Sequence, residues 1–411
     1  MKNIFILVLL AVFTVSCAKR NIKPNISSCN CSTQTGELPP IQLPDSAKSA
    51  DIKSNNSTKF AEFSLLKPAN WQDLDGFAED DLAAAWPAWL KSCSTLIKKE
   101  QWQSACLAAN ALTKPNNAAI TTYFTTYFDV YSTNNEDGSN AGMITGYYEP
   151  ILKGSRKKSA KYPHPLYRQP SDLITIDLGE VYPEFKYKRV RGKLAGNKVV
   201  PYSTRAEIES NPQLLAGSEL AWIDDIIDVF FLQIQGSGLV QLDSGKQVHV
   251  GYADQNGYPY NSIGRILVER GELTLDQASM QGIKNWARSN LDKLRDLLNS
   301  NPSYVFFREL PAGLSGPLGA LGVPISAERS VAIDPKFVPL GAPLFLSTTQ
   351  PNSTKPLKRL MLAQDTGGAI KGGVRADMFW GAGIDAGAKA GAMKQSGKIW
   401  VFLPKGFKFS Q

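Results

Sequence analysis

The sequence predicts a mainly β protein with peripheral helices. Short apolar and aromatic runs bounded by Gly, Pro, Asn or Asp recur from Met143 almost to the C-terminus. Helical periodicity is concentrated before Leu112. No internal repeat interrupts the body of the chain, and the only low-complexity stretch precedes it.

Taken in order, Trp71 to Leu112 is helical in pattern. Leu82, Trp86, Trp89 and Leu90 recur on one face, followed by Leu96, Trp102 and Leu107, with Pro87 starting or kinking a segment. A Tyr- and Phe-rich stretch, Tyr123 to Tyr131, leads to Met143-Ile-Thr-Gly-Tyr-Tyr-Glu-Pro150, an aromatic strand stopped by proline. Strands, loops and short helices follow to about Val250. Among them Thr204-Arg-Ala-Glu207 makes a capping box, and Val229-Phe-Phe-Leu-Gln-Ile-Gln235 reads as a buried strand entering the turn Gly236-Ser-Gly238. Thr274 and Gln277 are spaced to cap a longer helix reaching about Leu298. Beyond Asn301-Pro302 strands return at Tyr304–Phe307, Ser330–Ile333, Pro343–Leu346, Leu360–Ala363 and Lys398–Leu403. A small helix rich in Ala and Gly runs from Ile384 to Lys394.

The N-terminus reads as an export signal, residues 1–17. Lys2 supplies the charge, Ile4 to Phe13 the apolar core, and Thr14-Val15-Ser16-Cys17 the close. Ten apolar residues are too few to span a bilayer. The small residue before Cys17 resembles a bacterial lipobox, which implies cleavage before Cys17 and a lipid on the new N-terminus. Ala18 rather than Asp after the cysteine favours the outer membrane, with the body on its periplasmic face. Residues 18–60 are rich in Ser, Asn, Pro, Lys and Thr and read as a flexible tether with a reach of about 35 Å.

About 350 residues remain, enough for two domains. The formal net charge of +8 favours anionic partners such as a wall polymer or a lipid surface. Export, and the lack of a basic block interleaved with aromatics, exclude nucleic acid. Cys29 and Cys31 fall in the tether. Cys93 and Cys106 flank a helical stretch and either pair in an oxidising compartment or remain buried thiols. His164 and His249, the two histidines, have no metal-ligand spacing, which argues against a His-rich zinc site and a Ser-His-Asp triad.

The chemistry concentrates in Ala363-Gln-Asp-Thr-Gly-Gly-Ala-Ile-Lys-Gly-Gly-Val-Arg-Ala-Asp-Met-Phe-Trp-Gly381. Asp365 and Asp377 flank a glycine-dense turn carrying Lys371 and Arg375. Proximity to each other and to Met378, Phe379 and Trp380 is suited to hold one carboxyl protonated near neutral pH. Asp-Gly turn chemistry is the bland reading of the same residues.

Thr145-Gly-Tyr-Tyr-Glu-Pro150, Pro201-Tyr-Ser-Thr-Arg-Ala-Glu-Ile208, Phe231-Leu-Gln-Ile-Gln-Gly-Ser-Gly238, Gly251-Tyr-Ala-Asp-Gln-Asn-Gly257, Ser262-Ile-Gly264 and Asn301-Pro-Ser-Tyr-Val-Phe-Phe307 join that stretch in one pattern. Together they resemble the membrane-bound lytic transglycosylase A family of bacterial murein enzymes, in order from about Trp71 to Pro404. The C-terminal part is similar to a three-aspartate domain, its aspartates being Asp334, Asp365 and Asp377.

The resemblance implies a double-psi β-barrel domain from residues 61–146 and 301–411, with 147–300 as an inserted second β domain and a glycan groove between them. It implies cleavage of the β-1,4 bond between N-acetylmuramic acid and N-acetylglucosamine without water. Asp377 would serve as the single acid and then base, and Asp365 would support it. Thr145, Tyr147, Gln235, Ser237 and Lys371 would bind substrate, with Tyr148 a further candidate for stacking on sugar, and Asp334 would fix a barrel turn. Glu149 is a weaker rival acid. Peptidoglycan strands are the expected partner of a monomeric catalytic body, and neither a metal nor an organic cofactor is implied. Two other readings stand beside this one: a hydrolase using Asp365 and Asp377 as a base and acid pair, and a wall-binding lipoprotein without catalysis.

Overall fold

A computed structural model describes residues 62–409 apart from 187 and 189. Cys17, the tether, Cys29 and Cys31 lie outside the described residues.

The chain opens with β1 (Leu66–Ala69), then α1 (Leu82–Leu96), α2 (Glu100–Ala111) and α3 (Asn117–Tyr127). Strands β2 (Phe128–Thr133) and β3 (Gly142–Glu149) follow, then β4 (Ile151–Ser155), β5 (His164–Tyr167), β6 (Ile174–Thr175), β7 (Arg191–Ala195) and β8 (Lys198–Pro201). Next come α4 (Arg205–Ser210), β9 (Glu219–Ile223), α5 (Ile226–Gln235), β10 (Ser237–Leu242) and β11 (Gln247–Gln255). Helices α6 (Ile263–Glu269), α7 (Met280–Ser289) and α8 (Leu291–Asn299) precede β12 (Val305–Glu309) and β13 (Ser330–Ile333). The remainder is β14 (Pro343–Thr349), β15 (Pro356–Thr366), β16 (Ala376–Ala382), α9 (Gly383–Ala392) and β17 (Lys394–Pro404).

Strands β17, β14, β15, β13, β16 and β3 pair in that order, and β3 closes back onto β17. The result is a six-stranded barrel with no free edge between its members. Two of its pairings are parallel, β13 with β15 and β16 with β3. They are the pairings a simple meander cannot make, and they produce the double-psi topology. A second sheet runs β12-β11-β10-β4-β9-β5, and β6, β7 and β8 form a small third one. Because β12 hydrogen-bonds to β11, it belongs to the second sheet, beyond the boundary the sequence places at 301.

The N-terminal helices pack on the barrel through a few polar anchors set in a large apolar core. Gln364 of β15 is fully buried and donates to the Ala88 carbonyl at 2.8 Å and to Ser92 at 3.0 Å on α1. Asp80 accepts from Arg329 and from the Leu360 amide, both at 2.7 Å. A disulfide joins Cys93 on α1 to Cys106 on α2, with the Cα atoms 5.2 Å apart. Of the two states open from sequence, the pair is oxidised.

Two elements differ from the sequence reading. Val229–Gln235 is not a strand but the greater part of α5. Asp225 caps that helix by accepting from the Ile227 amide at 2.8 Å, and Gly236 ends it at φ 81°, a conformation costly for residues with a side chain. Val229, Phe230, Phe231 and Leu232 are buried in succession, so the run carries no apolar period that separates helix from strand. The helix placed from Thr274 to Leu298 begins at the Ser279 cap and breaks at Asn290. Thr274 and Gln277 close only a turn, through the Thr274 amide on Gln277 Oε1 at 3.0 Å.

Candidate active site

The barrel register explains why two aspartates twelve positions apart meet. In the parallel pairing of β13 with β15, Ala332 is the partner of Asp365; in the antiparallel pairing of β13 with β16 it is the partner of Asp377. The two carboxylates therefore flank one strand on one face, with a methyl group between them. On the far side, β3 places Thr145 opposite Asp377.

Alternation along β16 sorts the neighbouring apolar residues. Met378 and Trp380 face the main core, and Phe379 faces the same side as Asp377, in a cluster with Tyr147, Ile325, Ala332 and Ile370. Of the three residues expected to surround the acid, only Phe379 shares its face. Gly146 is set by the opposite face: a Cβ there would lie 2.6 Å from Trp380 Nε1.

The two carboxyls are held differently. Asp365 accepts from Tyr147 Oη at 2.8 Å and from the amides of Ala320 and Thr366, both at 2.9 Å. Asp377 accepts from Thr145 Oγ1 at 2.6 Å, its one hydrogen bond among the described residues. Burial pushes the Asp377 carboxyl up to about 6, against the opposing effects of the Thr145 hydrogen bond and Arg375; the charge of Asp365 adds to the rise. Arg375 is anchored by donating to the carbonyls of Ala376 at 2.6 Å and Met143 at 3.2 Å. Burial, with the charge of Asp365 second, holds the Tyr147 phenol well above its ordinary range.

Both carboxyls open into a cleft of about 620 Å³ between the barrel and the second sheet. Thr145, Tyr147, Gln235 and Ser237 line it. Gln235, at the end of α5, is oriented by the Tyr148 amide, which donates to its Oε1 at 3.0 Å. Tyr147 is buried, with its ring against Phe379 and its hydroxyl donating to Asp365. Tyr148 is buried too and lies outside the cleft lining.

Lys371 is not brought into the cleft. It is exposed, with its ammonium 3.8 Å from Asp334 Oδ1. Asp334 is buried and ties two loops together by accepting from the amides of Lys336 at 3.3 Å and Gly372 at 3.1 Å. Glu149 is buried against His249 and does not line the cleft.

Sequence reasoning singled out none of Tyr252, Tyr258, Tyr260, Asn301, Ser303 and Arg308, which line the cleft from the second sheet and its loops. The signal available was the pair of segments Gly251–Gly257 and Asn301–Phe307, which marked the region but not which side chains turn inward. The Ala320 amide, a backbone donor to Asp365, has no sequence signature.

The MltA specific insert domain matches residues 143–308 and the 3D domain matches residues 329–403. The membrane-bound lytic murein transglycosylase A of Escherichia coli (strain K12) is 33% identical over 276 residues, which cover 65% of this chain and 67% of that protein. Its counterpart in Vibrio cholerae is 31% identical over 265 residues, covering 63% and 64%. Among solved structures, MltA from Neisseria gonorrhoeae superimposes with a TM-score of 0.73 at 37% identity, covering 84% of this chain and 94% of that one. E. coli MltA with bound chitohexaose gives 0.65 at 26% identity, covering 84% and 96%. With insert, barrel, cleft and aspartates in this arrangement, the chain belongs to the membrane-bound lytic murein transglycosylase A family.

Proposed function

We propose that this enzyme cleaves the β-1,4 bond between N-acetylmuramic acid and N-acetylglucosamine in peptidoglycan without water, with Asp377 as its single acid and base. Asp377 gives its proton to the departing glycosidic oxygen. The C6 hydroxyl of the muramic residue attacks its own anomeric carbon, and its proton passes to Asp377, leaving a 1,6-anhydro end and a reset carboxyl. Chitohexaose bound to the E. coli relative supports a glycan strand as the occupant of the cleft.

The observation that carries this reading is the asymmetry between the carboxyls. Asp365 already accepts from three donors, and Asp377, pushed up to about 6, remains available to give and take a proton. Asp365 then serves as a positioning residue, with Tyr147 behind it. Thr145, Gln235 and Ser237 meet hydroxyl and acetamido groups of the sugar. The ion pair of Lys371 with Asp334 favours a structural role for both, in place of the substrate contact first expected of Lys371. Mass spectrometry of products from purified murein is the test. Anhydro ends from the unaltered protein and none from Asp377→Ala are expected; reducing ends would sink the reading in favour of two-carboxylate hydrolysis.

The membrane-bound names of the relatives support an anchor. The lipobox reading makes it a lipid on Cys17, in the outer membrane, with a monomeric body on the periplasmic face. Barrel segments 61–146 and 301–411 would enclose the insert 147–300, with the return boundary moved past Glu309 because of the β12 pairing. Cys17→Ala is expected to move the protein from the membrane fraction to the soluble one.

A further inference from the structure

A second cavity, of about 330 Å³, lies behind the cleft in the inserted domain. Helix α5 lines both: Ile226, Val229 and Phe230 at its start face the rear cavity, and Gln233, Ile234 and Gln235 at its end face the cleft. Arg205 is common to the two linings. That guanidinium is 2% exposed and fully engaged. It donates to the carbonyls of Asn301 at 3.1 Å and Ser303 at 2.7 Å and to Gln233, and it stacks on Phe230 and Tyr304.

Glu209 is the anomaly. Its Oε1 lies 3.5 Å from Arg205, whereas its Oε2 is buried with no hydrogen-bond partner among the described residues. A buried carboxylate oxygen without a donor is costly, more so than the same group paired. Burial moves the Glu209 carboxyl above its ordinary value in spite of Arg205 and Arg295. Around this acceptor the wall is largely apolar and aromatic, including Trp222 and Ile226. Arg295 and Lys158, both exposed, supply positive charge, and Arg295 acts on both Glu209 and His164.

A hole with an orphan acceptor inside, apolar walls and cations at hand fits a ligand that carries an N–H donor or ammonium, an apolar body and a free carboxylate. We propose that the rear cavity is an accessory site for a short peptide, its nitrogen on Glu209 Oε2 and its carboxylate on Arg295. The peptide attached to the wall glycan is of this class, and that identification rests on the glycan-cleaving reading of the cleft.

Isothermal titration calorimetry of the whole protein with free stem peptide, released from purified murein by an amidase, tests this without turnover. Its outcome is therefore separate from that of the anhydro-end assay. Saturable binding is expected, weakened at least about tenfold by Glu209→Gln and by Arg295→Ala, and unaffected by saturating chitohexaose. Arg295 is on the surface, so its variant decides the matter should Glu209→Gln fail to fold. Absence of saturable heat up to millimolar peptide, binding that neither variant weakens, or displacement by chitohexaose would overturn the proposal.

Discussion

Thr145 donates its hydroxyl to Asp377 Oδ1 at 2.6 Å across 232 residues of chain, because β3 and β16 run parallel with those two residues in register. The bond favours the charged form of Asp377, and burial opposes it more strongly. Thr145→Val removes that hydrogen bond and leaves the carboxyl more reluctant to ionise. The expected outcome is a pH–rate profile whose alkaline limb moves to higher pH, with a lower maximum because the acid is less well oriented. An unmoved limb would show that Thr145 does not act through Asp377.

With Asp377 as the proposed acid, protonated at the start of the reaction, kcat/KM should fall as pH rises through about 6, approaching tenfold per pH unit above it. Asp377→Asn should lower kcat by about 10² to 10⁴-fold at pH 5.5, read as anhydro-end release from purified murein.

The same raised value has a stability consequence of defined sign. Between the unfolded value near 3.8 and the folded value near 6, the native state holds a proton that the unfolded chain releases, so stability declines as pH rises through that window. Asp377→Asn should therefore stabilise the fold above pH 6, by about 1–3 kcal/mol, and the gain should vanish below pH 4. Thermal melts of both proteins at pH 3.5 and pH 7.5 measure it; an equal gain at both values would contradict the burial effect.

Tyr147→Phe takes one of three donors from Asp365 and keeps the ring against Phe379. Loss of that hydrogen bond should cost about 1–2 kcal/mol of stability and reduce kcat by less than Asp377→Asn does. Asp365→Asn, which retains acceptor capacity, should also remain measurably active. Inactivation of Asp365→Asn to the level of Asp377→Asn would return both carboxyls to direct catalysis.

Replacing Cys93 and Cys106 together by Ala opens a loop with a sequence separation of 13 and should cost about 2–4 kcal/mol. The bridge ties α1 to α2 and lies outside the cleft lining, so glycan cleavage at 25 °C should persist while the melting temperature drops. Parallel melts and product assays separate the two effects.

Local patterns were legible wherever one face of an element is buried and its ends carry a chemical stop. The helix after the Thr204 capping box follows that rule, whereas the Ser330–Ile333 strand, buried throughout, was marked by the Asp334-Pro335 turn that follows it. The rule fails for α5, where buried residues in succession from Val229 to Gln233 erase the period and only Asp225 and Gly236 mark the ends. It fails again at Asn290, where the helix breaks at φ −136°, ψ 54° with neither proline nor glycine to mark it.

By itself, then, the sequence determined the mainly β class, the family motifs and the identity of the paired aspartates, because these depend on residue type and spacing along the chain. The tertiary structure decided how differently the two carboxyls are held. Ala332 on β13 places Asp365 and Asp377 side by side, the Ala320 amide and Tyr147 engage one carboxyl, and burial raises the other. Parallel pairing between strands distant in sequence, backbone donors and solvent exclusion are properties of the closed barrel and the cleft. They exist only once the chain has folded, which is also why Lys371, near both aspartates in sequence, ends outside the cleft and Arg308 inside it.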